Sequence, residues 1–244
     1  MAVRANLRTS KWLKGVEKMS DNLTADPKGR LRILGKTEKL MVRAMNKAWN
    51  APMFPVTIEV DMTKATARRS VGTTMTDVIL SDCAETLAGH PGLNAHWQED
   101  QGVVEYDTVN LGFAVAASKG LTVPVIHGAE GLNLNQIAER RKALVEKVRA
   151  GCISIGEVMG GTFTLSNLGM FGVARFTAII NPPQVSILAV GGTTMRQIWN
   201  EGTPKWAPIA EFTLTSDHRA VDGARAATFL ADLKTRLETG LNDR

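Results

Sequence analysis

The stretch TSDHRAVDG, residues 215–223, puts His218 directly after Asp217 and four positions before Asp222. Upstream, Phe212 and Leu214 alternate with Thr213 and Thr215, the two-residue period of a strand. Downstream, Ala226, Phe229, Leu230, Leu233 and Leu237 recur on one face of a helix that Gly240 closes. The histidine therefore falls where a strand ends and a helix begins, a junction that fixes a side chain and leaves it reachable. An imidazole with a pKa of about 6.5 is the natural general base at neutral pH. Asp222 stands where a carboxylate caps the first backbone N–H groups of the helix.

A second stretch, GGTFTLSNLGMFG (residues 160–172), reads as a strand running into a glycine-rich turn. It ends on Ser166 and Asn167, and a hydroxyl there is expected to face the cleft of His218 and donate to a developing oxyanion. No Gly-x-Ser-x-Gly elbow surrounds Ser166, which argues against a serine hydrolase. The turn also lacks the Walker spacing of a nucleotide hydrolase. His90, His96 and His127 have no metal-ligand spacing and read as structural.

Farther out, Leu40, Met41, Ala44, Met45, Ala48 and Trp49 repeat at helical spacing until Pro52. Val56, Ile58, Val60 and Met62 alternate as a half-buried strand, and a helix is expected near 75–88. Strands follow near 103–106, 109–117 and 121–126. Asn133 reads as the N-cap of a helix running to Gly151. A buried strand near 185–190 and a hairpin-like segment at NEGTPKW complete the pattern. Strands and helices mix without a βαβ rhythm, so the expected fold class is α/β with a mixed sheet covered by helices.

The 244 residues suit one such domain plus an arm. No apolar run approaches the ~20 residues of a bilayer span, so no membrane partner is expected. Cys83 and Cys152 form no disulfide framework or metal spacing and favour a reducing compartment. Residues 1–50 carry twelve Lys/Arg against four Asp/Glu, a net of +8 within a chain of +5. That basic arm lacks an arginine-rich run, interleaved aromatics or a DNA-binding motif, so no nucleic-acid partner is expected. With Arg4, Arg8, Lys11 and Lys14 and no early acid, its start is weakly like an organellar presequence.

Together with HPGLNAHW, VNLGFAVAASKGLTVPVI and NPPQVSILAVG, these stretches resemble the catalytic core of dihydrolipoyl acyltransferases. Those are the core subunits of 2-oxoacid dehydrogenase complexes, and the likeness runs from about residue 36 to 239. The resemblance implies a chloramphenicol acetyltransferase-like fold in residues 36–244, behind a basic arm at 1–35, and homotrimers whose active sites lie between subunits. It makes His218 the base that takes a thiol proton, Asp222 a support of the site, and Ser166 of the neighbouring subunit the oxyanion donor. The implied reaction moves an acyl group between a lipoyl-lysine thiol and coenzyme A, with no metal. The lipoyl group arrives in trans from a lipoyl-bearing protein among the complex's components.

Two departures qualify this. Met53 stands in APMF where the family usually has a histidine, and residues 1–35 hold no lipoyl domain. The chain then reads as a fragment or a stand-alone core, in the cytoplasm or, in a eukaryote, the mitochondrial matrix. A non-catalytic structural core and an acyltransferase with a small-molecule acceptor remain as alternatives. SNLG favours acetyl over succinyl. The ending LETGLNDR, with Leu241 as its one apolar residue after Gly240, leads to the expectation of a lone trimer and no cage.

Overall fold

The computed structural model describes residues 29–117, 120–200 and 202–240. Most of the basic arm and the four residues after Gly240 lie outside that range, and the expectations drawn from them are neither met nor overturned. Residues 29–35 carry no helix or strand, and the compact unit begins at Lys36.

The first half runs α1 (Lys36–Trp49), β1 (Met53–Asp61), α2 (Thr63–Ala67), α3 (Met75–Ala88), β2 (Ala95–Gln98) and β3 (Gly102–Glu105). Then come β4 (Leu111–Phe113), β5 (Val115–Ala117), β6 (Gly120–Thr122) and β7 (Val125–Ile126). The second half runs α4 (Leu134–Ala150), β8 (Phe163–Asn167), β9 (Ser186–Val190), β10 (Thr194–Asn200), β11 (Thr203–Asp217) and α5 (Gly223–Thr239). The main sheet has the order β1-β11-β9-β8-β4-β7, and β10 pairs with the first half of β11. It is mixed, as expected: β8 lies parallel to both β4 and β9, while β11 is antiparallel to its three neighbours.

Local chemistry fixes the helix ends. Asn133 caps α4 and exchanges hydrogen bonds with Gln136, and Thr74 and Asp77 do the same on α3. Gly151 closes α4 at φ 71°, a left-handed conformation in which a side chain would be strained. The apolar face of α5 then buries Ala226, Phe229, Leu230, Leu233 and Leu237. Phe229 meets Phe163 of β8 at 5.8 Å between ring centroids, which ties this helix to the sheet. Each buried Phe or Leu of this face contributes about 1.5–3 kcal/mol by leaving water.

Two expected strands are divided. The run 109–117 breaks at Ala114, whose N–H donates to Leu165 across to β8 before β5 turns away to pair with β6. The run 121–126 breaks at Pro124, which has no N–H for a ladder. The alternation in β11 predicts one buried face, yet Phe212 to Asp217 are buried on both. Hydroxyl pairs satisfy part of the polar side: Thr213 bonds Thr57 at 2.9 Å and Ser216 bonds Ser186 at 2.8 Å.

Candidate active site

His218 follows the last residue of β11, and its N–H donates to the Pro52 carbonyl at 3.0 Å, continuing the ladder with β1. Its side chain is exposed, as a strand-to-helix junction predicts. The ring rests against Phe54, 4.5 Å between centroids at 42°. Among the described residues neither ring nitrogen has a hydrogen-bond partner, so both remain available to a ligand.

Asp222 is the N-cap of α5, accepting from Arg225 N at 2.8 Å, with Arg225 Nε 3.7 Å from its other oxygen. No hydrogen bond joins it to His218 among the described residues, so within one chain its support of the site is the placement of the helix. The acid that closes the turn around the histidine is Asp217, whose carboxylate accepts from Arg219 N. It is buried and bidentate with Arg219, at 2.6 Å from Nη2 and 2.9 Å from Nε. This carboxylate makes the Arg219 proton harder to lose than usual, despite partial desolvation of the pair. The guanidinium lies over Trp97 of β2 at 4.6 Å. The acid and base flanking His218 were visible in the sequence. Nothing local marked Trp97 as their neighbour.

Ser166 sits near the end of β8, where the chain turns through Asn167. The Asn167 carboxamide accepts from Gly169 N at 2.8 Å and donates to Thr76 Oγ1 at 3.2 Å. A Cβ on Gly169 would lie 2.9 Å from the Gly191 carbonyl, so the turn packs too tightly for any other residue. The serine hydroxyl has no partner among the described residues. It lines a hollow of about 410 Å³, whose walls include Phe113, Val115, Leu121, Val145 and Met170. Arg141 and Arg149 are also on the wall, and Arg141 is ion-paired with the buried Asp77.

One chain does not bring the two groups together: a cleft shared within a single chain is absent, and the expectation that Ser166 serves the site from a neighbouring subunit is left open. Ser166 is in register with Ala189, and Ala189 with Thr213, five residues before His218. At about 3.3 Å per residue along and about 4.8 Å per strand across, they stand roughly 15–20 Å apart. The other histidines are each tied to a partner through a ring nitrogen, His90 and His96 half-buried and His127 exposed. His90 bonds Asp232 at 2.8 Å, His96 the Gly161 carbonyl at 2.9 Å, and His127 the Gly156 carbonyl at 3.1 Å.

A mixed sheet with helices packed on it is also the fold of chloramphenicol acetyltransferase. That structure superposes at a TM-score of 0.53 over 80% of this chain and 94% of its own, at 16% identity, a likeness of fold alone. The chain belongs to the 2-oxoacid dehydrogenases acyltransferase (catalytic domain) family, whose model matches residues 29–242. It is 35% identical over 217 residues to the dihydrolipoyllysine-residue acetyltransferase component of the acetoin cleaving system of Bacillus subtilis (84% of this chain, 54% of that one). It is 38% identical over 222 residues to the same component of the mitochondrial pyruvate dehydrogenase complex of Schizosaccharomyces pombe (85% and 46%). The chain thus spans about half the length of these curated relatives. A dihydrolipoamide acetyltransferase structure from Azotobacter vinelandii superposes at a TM-score of 0.84, at 28% identity, over 89% of this chain and 94% of its own. It was determined to probe a serine, a histidine and an asparagine in catalysis.

Proposed function

We propose that this chain is a coenzyme A-dependent acyltransferase, exchanging an acyl group between a dihydrolipoyl thiol and coenzyme A as the core of a 2-oxoacid dehydrogenase complex. The carrying observation is the pair Ser166 and His218, each with an unengaged polar group and each at a different corner of the sheet. In the Azotobacter enzyme the interval from serine to histidine equals that from Ser166 to His218. An asparagine there takes the place that Asp222 takes here.

The chemistry follows from the two groups. A ring nitrogen of His218 removes the proton of the attacking thiol, and the thiolate adds to the thioester carbonyl. The negative charge on the tetrahedral oxygen accepts a hydrogen bond from Ser166 Oγ. Collapse expels the other sulfur, which recovers the proton from the imidazolium. The separation within one chain supports a reading in which the two residues of each site come from different subunits, in a trimer of about 79 kDa, three times 26.4 kDa. Acetyl is the favoured acyl group, and the donor lipoyl group comes from another domain or protein.

The test offers acetyl-, isobutyryl- and succinyl-CoA to free dihydrolipoamide and follows thioester formation. Transfer, fastest from acetyl-CoA, is expected. A pure, folded chain that transfers none of the three is a non-catalytic core, and the proposal fails.

A further inference from the structure

The ring of His218 is lightly held, while the backbone around it is tied down heavily. The Asp217 N–H donates to the Val185 carbonyl at 2.9 Å, and the Asp217 carbonyl accepts from Ala220 and Val221, both at 3.0 Å. Its carboxylate accepts from Arg219 N at 3.0 Å, which closes an Asx-type turn with His218 as the middle residue. The same carboxylate takes the Nε and Nη2 donors of Arg219. The guanidinium carbon in turn lies 4.6 Å from the centre of the Trp97 ring, and the backbone N–H of Trp97 is anchored to the Pro183 carbonyl at 2.8 Å. The indole Nε1 is buried without a partner, so the ring face is what this residue contributes to its neighbour.

We propose that Arg219, clamped between Asp217 and Trp97, is a positioning residue that sets the orientation of His218 for proton abstraction. This rests on the acyltransferase reading above. A carboxylate that is 1% exposed loses hydration that only well-placed donors offset. Here three of those donors come from one arginine, and they close a ring of bonds around a histidine that is itself exposed. The arrangement removes freedom from the residue that must be aimed. Lysine is a poor substitute, because it cannot span both carboxylate oxygens or lie flat on an indole.

Trp97→Leu is expected to lower kcat about tenfold and Arg219→Lys by more, since small misplacements of a reacting group cost up to ~10²-fold. KM for both thiol substrates should stay within about twofold, because the clamp touches neither. Trp97→Phe keeps a ring face and should recover most of the loss. A readout independent of turnover is the nuclear Overhauser contact between the His218 and Phe54 rings in the assembled protein. It should be strong in the wild type and weakened in Trp97→Leu and Arg219→Lys. Wild-type kcat with an intact ring contact in both variants overturns the proposal. So does a loss of activity that only tracks the unfolded fraction. A wild type with no transferase activity sinks the functional reading instead, and the ring contact then decides the clamp by itself.

Discussion

At the end of β11, His218 stands exposed on a turn secured by charge, with Asp217 buried under three donors of Arg219. At the end of β8, Ser166 faces an apolar hollow secured by close packing, where Gly169 meets Gly191 with no room for a Cβ. The first corner fixes direction: hydrogen bonds around a histidine restrict where its ring points. The second fixes shape and a largely apolar lining, beside which one hydroxyl dipole can act on a developing charge. A base needs aim and access to a proton, whereas an oxyanion donor needs a fixed place beside the reacting carbonyl. The sheet holds the two corners roughly 15–20 Å apart in one chain.

The widest difference should appear on deleting the imidazole. His218→Ala is expected to lower transfer by ~10²–10⁴-fold with circular dichroism unchanged, since the ring is exposed and rests against Phe54. More than about a tenth of wild-type activity would remove His218 from the base role.

Ser166→Ala should cost less, about 10²-fold in kcat, with KM unaltered, because the hydroxyl meets only the transition state. A raised KM at constant kcat would turn the hollow into a plain binding pocket.

Mixing the two variants probes the separation itself. If each site takes its base and its serine from different subunits, co-refolding equal amounts restores activity to about a quarter of wild type, the chance that both are intact. No recovery in mixed assemblies of confirmed composition would place both residues in the same subunit's site.

The smallest effect belongs to Asp222. Asp222→Ala should destabilise α5 by ~1 kcal/mol through loss of its cap, read as a lower denaturant midpoint, and Asp222→Asn should restore it. A large fall in kcat for Asp222→Asn without a stability change would give the carboxylate charge a direct part at the site.

Much of this was legible in the residues themselves. The junction at His218 followed from two periodicities meeting, and the ends of α4 and α5 from Asn133, Gly151, Asp222 and Gly240. Hydrogen-bond demand and backbone sterics act over a few neighbours, so the local sequence is enough to state them.

What the sequence by itself determined was most of the longer elements, though not α2 or β2, together with the chemistry of the two candidate groups and the family that carries them. Tertiary structure alone decided how far apart those groups stand, because the register of β8 on β9 and of β9 on β11 depends on pairings between distant segments. It also decided the partner of Arg219: Trp97 lies on β2, and no spacing rule links it to the DHR turn. It split the run 109–117, since Ala114 bonds to a strand some fifty residues later. In each case the deciding contact joins residues remote in the chain, and only the folded packing brings their surfaces within reach of each other.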